Sequence, residues 1–192
     1  SDRVVIPRVV RNASTHTSVI AVTNAGSDTA QVTMRFYRTG SSVAVATKQF
    51  DLGPAEALTF DLNDADPAFS ALGDGFAGSV VMESACCQVG AQVYEYAENS
   101  ALAIGGYEGI PAAQASSRLF VPLFRHQQRG PGGIRLDTAI VVANAGSTPE
   151  PVTVSYHPTT NASASAACRG AGVVRHGPVT ILPNASHAFF QG

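Results

Sequence analysis

The stretch SVIAVTNAGS at Ser18–Ser27 returns as TAIVVANAGS at Thr138–Ser147, and this repetition sets the architecture. Both copies run on into alternating segments, QVTMRFY at 31–37 and PVTVSYH at 151–157. Eight of the twenty positions aligned in this way are identical. Chance would give about one or two in a chain of this composition, so the repeat is real. The likeness continues upstream, where Val5-Ile6-Pro7 aligns with Phe120-Val121-Pro122. Downstream, Leu52-Gly53-Pro54-Ala55 through Phe60 aligns with Leu182-Pro183-Asn184-Ala185 through Phe190, after loop-like insertions rich in Gly, Ser and Ala.

The repeated segments alternate with period two, the pattern of a half-buried strand. Val32, Met34 and Phe36 face one way and Thr33, Arg35 and Tyr37 the other, a division the second copy keeps with Val152, Val154 and Tyr156. Asn-Ala-Gly-Ser supplies the turn, because Asn and Gly tolerate the positive φ of a tight reversal. Further strands are expected near 4–10, 43–51, 56–62, 76–84, 88–96, 119–125, 173–181 and 186–191, with one short helical turn over Asp66–Leu72. Short strands separated by turn signals predict an all-β chain of two antiparallel β-sandwich lobes. The first spans 1–112, a small-residue linker 113–117, and the second 118–192.

Composition agrees. Of 192 residues, 45% are apolar and 14% charged, which describes a chain that folds. A net charge of -2, with Lys48 the one lysine, excludes the clustered basic surface that nucleic acid requires. No apolar run reaches the ~18–20 residues of a membrane-spanning helix.

The copies are unequal. After Phe60 the first continues through FAGSVVMES (Phe76–Ser84) and QVGAQVYEY (Gln88–Tyr96), and nothing after Phe190 corresponds to these. A lobe without them leaves apolar surface and sheet edges open. Three explanations stand: a longer array of repeats, a smaller variant that closes with fewer strands, or strands supplied by a neighbouring chain. The last makes Val4, Val5, Ile6, Val9 and Val10 the natural candidate for a donated strand, and Phe189 and Phe190 the end expected to be covered.

Side chains that carry chemistry are sparse. Cys86 and Cys87 are adjacent and Cys168 stands apart, without metal-site spacing. A bridge from Cys86 or Cys87 to Cys168 gives the more relaxed geometry and ties the lobes together; a Cys86–Cys87 bridge closes a strained small ring. Asn-Ala-Ser occurs at Asn12, Asn161 and Asn184, three candidate glycan acceptors that are equally ordinary turn residues. Asp61, Asn63, Asp64, Asp66 and Asp74 form an acidic cluster that fails the calcium-loop pattern at Ala65. The five histidines lie outside any catalytic motif, no phosphate-binding loop is present, and no cofactor or metal is expected. Arg125, Arg129 and Arg135 form a loose basic loop.

The order Ile6-Pro7, Val19–Ser27, Val32–Tyr37, Leu52–Ala55 and Phe76–Val81 resembles tandem immunoglobulin-like β-sandwich repeats of bacterial, Chloroflexi-type secreted or cell-surface proteins. The resemblance implies a scaffold without catalytic residues, located outside the cell. Together these readings predict a structural subunit of an extracellular filament, sheath or surface layer that assembles with copies of itself. The competing expectation is a carbohydrate-binding or adhesion module of a larger secreted protein, needing an exposed aromatic platform from Tyr94, Tyr96 and Tyr107.

Overall fold

The computed structural model describes residues 2–97, 103–121, 128–129, 135–136, 138–157 and 172–190. It is an all-β antiparallel structure, as the alternation predicts. In the first lobe β1 (Asp2–Arg11), β2 (His16–Asn24), β3 (Ala30–Arg38), β4 (Ala44–Leu52) and β5 (Ala57–Asp61) are followed by a single helical turn, α1 (Pro67–Ser70). Then come β6 (Phe76–Ser84), β7 (Val89–Ala97), β8 (Ala103–Glu108) and β9 (Ile110–Pro111). One sheet runs β4-β3-β6-β1-β9 and the other β5-β2-β7-β8, so the two stack as a sandwich.

Inward positions fill the space between the sheets. Val4, Ile6, Val9, Ile20, Val22, Val32, Met34, Phe36, Val80, Met82 and Val93 are all buried in one cluster. Phe69, carried in on α1, meets Phe36 and Phe60 edge to face, with ring centroids 5.9 and 6.1 Å apart. Asp66 caps α1 by accepting from the Ala68 amide at 2.9 Å. Gly78 is required where the sheet bends. A Cβ there would stand 1.9 Å from the Tyr37 carbonyl oxygen, opposite a register shift in β1 between Ile6 and Val9. Pro7, with no N–H to offer a ladder, falls inside that irregularity.

Sequence alone did not reveal β8. Its Gly105-Gly106 reads as a turn, yet Gly106 pairs with Tyr94 across the sheet and the ring closes over it. The Val4–Val10 strand, expected as a candidate for donation, lies inside its own sheet between β6 and β9. It is apolar on both faces because one face lines the core and the other meets the second lobe.

After a turn of 3-10 helix at Ala112–Gln114 and a short β10–β11 pair (Gln128–Arg129, Arg135–Leu136), the described residues of the second copy form four further strands. These are β12 (Ile140–Ala143), β13 (Glu150–Tyr156), β14 (Val174–Ile181) and β15 (Ser186–Phe189). Of the expected strand at 119–125, residues 119–121 are not in a strand and 122–125 lie outside the described residues. β12 pairs with β15 and β13 with β14, as β2 pairs with β5 and β3 with β4.

The structure corrects the alignment at the end of the repeat by one residue. Ile20 faces Phe60, and Ile140 faces Phe189 rather than Phe190. Ala30 faces Leu52, and Glu150 faces Ile181 rather than Leu182. Pro54 therefore matches Pro183, and Ala55 and Asn184 share positive φ, 56° and 65°. A one-residue slip turns every side chain to the other face of a strand, and the inward position belongs to Phe189, 3% exposed against 63% for Phe190.

Candidate assembly surface

Each NAGS turn is held by its own asparagine. Asn24 is fully buried; its Nδ2 donates to the carbonyls of Asp28, Leu52 and Gly53 at 2.7, 3.1 and 3.1 Å, and its Oδ1 accepts from the Gly26 amide. Asn144 repeats this with the Thr148 and Ile181 carbonyls at 2.7 and 2.9 Å and the Gly146 amide. The two copies thus share their turn, hairpin pairing and latch. They differ in what lies beside them.

In the first lobe β2 is flanked by β5 and β7, and β3 by β4 and β6. In the second lobe, among the described residues, β12 has only β15 and β13 has only β14. The far edges of both strands lack the neighbours that β7 and β6 provide in the first copy. Burial follows. Ile20, Val22, Val32, Met34 and Phe36 are no more than 1% exposed, whereas Ile140, Val142, Val152, Val154 and Tyr156 are all half-buried. Leu119, Phe120, Val121, Val173, Val174 and Phe190 add exposed apolar surface in the same half of the chain. His176, against the Tyr156 ring, and His187, against Phe189, edge this face.

The second lobe also meets the first through its turns. Arg3 Nη1 donates to the Ala145 carbonyl at 2.6 Å, and its Nη2 to Asn184 Oδ1. Ser79 Oγ donates to the Asn184 carbonyl at 2.6 Å, while Val5, Tyr37 and Val81 pack against Ala143 and Ala145. Beside this junction lies an open cleft of about 620 Å³ walled by Arg3, Tyr37, Glu83, Gly146 and Asn184. Glu83 is shared by Arg3, at 3.7 Å, and Arg35. Burial pushes the Tyr37 phenol above its ordinary value, opposed by the nearby Arg35. The cleft brings ion pairs and backbone carbonyls together, an arrangement that holds surfaces in register. Arg3 was not evident from sequence, because β1 also carries Arg8 and Arg11 and nothing marks Arg3 among them as the one that reaches the second lobe.

The remaining candidates fall into place singly. Val4, Ile6, Val9 and Val10 are buried, and Val5 faces the second lobe. Cys86 is bonded to Cys87, so the structure has the vicinal bridge in place of the interlobe one expected as more relaxed; Cys168 lies outside the described residues. The bridge sits in the β6–β7 turn, with the Cys87 Cβ close against Gly26 of the first NAGS turn. Asn12, at positive φ, donates to Asp74 and accepts from Thr17. Asn184 is engaged at the junction, with Ser186 of its triplet only 3% exposed, and Asn161 lies outside the described residues.

The acidic cluster is dispersed. Asp61 accepts from Tyr96, Asp74 pairs with Arg11, and Asp66 caps α1 and pairs with Lys48. The Lys48 hydrogen bond holds the Asp66 carboxyl below its ordinary value. Among the described residues no group of three His, Cys, Asp or Glu side chains is placed to hold a metal ion. The three tyrosines do not form one platform either. Tyr94 is exposed, Tyr96 is tied to Asp61, and Tyr107 turns inward to donate to the Arg8 carbonyl. Among the described residues no helix is long and apolar enough to cross a membrane.

No family model matches the chain, and no curated protein matches it. Among solved structures, one titled Crystal Structure of Thermotoga maritima 1070 is similar over 58% of this chain and 92% of its own, at 16% identity and a TM-score of 0.43. The fold assignment rests on the sheets described above.

Proposed function

We propose that this chain is a structural subunit of an extracellular filament, sheath or surface layer, built by joining β-sandwich edges between copies, with strand addition as the means. One observation carries the reading: the second lobe repeats the latch and hairpins of the first while, among the described residues, its two inner strands, β12 and β13, keep open edges beside a half-buried apolar face. Free edges of this kind pair with other chains unless something covers them. The Cys86–Cys87 bridge favours an oxidising, extracytoplasmic location, and so does the resemblance to Chloroflexi-type surface repeats. Glycans on the Asn-Ala-Ser triplets would suit the same location. Negative-stain electron microscopy of the concentrated chain tests the proposal. Filaments, sheets or discrete oligomers are expected, and uniform 19.8 kDa monomers at every concentration would sink it.

A further inference from the structure

We infer that the open half of the second lobe is completed by the same half of a second copy, related by a two-fold axis that runs through the sandwich. The inference rests on the proposal that this half is an assembly surface, and it names the occupant. The first lobe supplies the template. There the block β2-β5 over β3-β4 is closed by a second block that adds β7 to β2 and β6 to β3, both antiparallel. A two-fold axis perpendicular to both sheets makes two such antiparallel joins at once, β12 to β12 and β13 to β13, and yields four strands over four.

The edge sequences fit a partner identical to themselves. With Val154 on the axis, Val152 of one copy lies opposite Tyr156 of the other, and Thr153 opposite Ser155. Val152, Val154 and Tyr156 are the half-buried inward positions of β13, so apolar faces apolar on the core side. On the outer side Thr153 and Ser155 are exposed, and two hydroxyl residues face each other. In β12, Ile140 and Val142 exchange in the same way about Val141. Neither Ile140–Ala143 nor Val152–Tyr156 carries a charge, so self-pairing sets no like charges opposite one another. Pro151, which has no N–H to donate, falls at the end of the ladder. These edges also lack the inward lysines with which sheet edges are often protected, and the register irregularity between Val152 and Val154 places its extra residue in β14, on the side away from the open edge.

Charge reversal across the axis tests this directly, because Thr153 and Ser155 are exposed in the single chain and their replacement leaves its core untouched. Sedimentation of the unaltered chain should give twice 19.8 kDa, or a multiple of that dimer. Thr153→Lys with Ser155→Lys places lysine against lysine twice and should raise the dissociation constant about tenfold or more. Thr153→Lys with Ser155→Glu places lysine against glutamate twice and should restore the dimer. Val154→Cys, in a Cys168→Ser background, should oxidise to a covalent dimer, since residues on the axis bring their Cβ atoms within disulfide reach. Val45→Cys, exposed on β4, should not. Assemblies that persist unchanged in the lysine pair, with no covalent dimer from Val154→Cys, would overturn this inference while leaving edge-driven assembly standing. A chain that stays monomeric would overturn both.

Discussion

A single buried asparagine does in each lobe what a longer loop would otherwise need several residues to do. Asn24 donates to three carbonyls and accepts one amide with no exposure to water. Asn24→Ala leaves those carbonyls short of a donor and should cost about 2–3 kcal/mol in urea unfolding. Asn24→Asp should be worse than Ala at neutral pH despite its closer shape, because a carboxylate has no proton to give the three oxygens. Tyr107 makes a second residue-scale prediction. Its phenol donates to the Arg8 carbonyl from a buried site, and burial, reinforced by Glu95, raises its ionisation well above the ordinary 10.0. The folded state therefore holds the neutral form, and this contribution is complete below pH 10.0 and is lost as pH rises above it. The alkaline limb of a stability profile should be shallower in Tyr107→Phe than in the parent.

Strand register is where element-scale reasoning is sharpest. Phe189→Ala removes an inward ring and should lower the stability of the second lobe by about 3 kcal/mol, whereas Phe190→Ala should change it by less than about 0.5. Equal effects in chemical denaturation would contradict the pairing of Ile140 with Phe189. The strands themselves were legible because alternation, NAGS and the Leu-Gly-Pro turn are local signals. Two things were not. Gly105-Gly106 looks like a turn until Tyr94 on the neighbouring strand is seen to cover it, a contact between residues far apart along the chain. The slip of one residue at Pro183 was missed because both alignments match Leu52 to an apolar residue; the match of Pro54 to Pro183 is the signal in the sequence, and the positive φ of Asn184 and the pairing to β12 decide for it.

The whole molecule is two copies of one plan, joined turn to sheet. Arg3 and Ser79 reach from the outer face of the first lobe to Ala145 and Asn184. Arg3→Ala should weaken that joint by about 1–3 kcal/mol, read as faster proteolysis between residues 112 and 121 with the melting of the first lobe unchanged. The repeat and the unequal lengths of its copies were readable from the sequence. The joint was not, because it depends on which face of β1 turns outward. Shared latches with unequal cores have a thermal consequence. The first lobe encloses its own apolar cluster and should melt at a temperature indifferent to dilution. If a second copy completes the second lobe as proposed, its remaining contacts come by mass action, and calorimetry should show a separate, lower transition that climbs as the protein is concentrated.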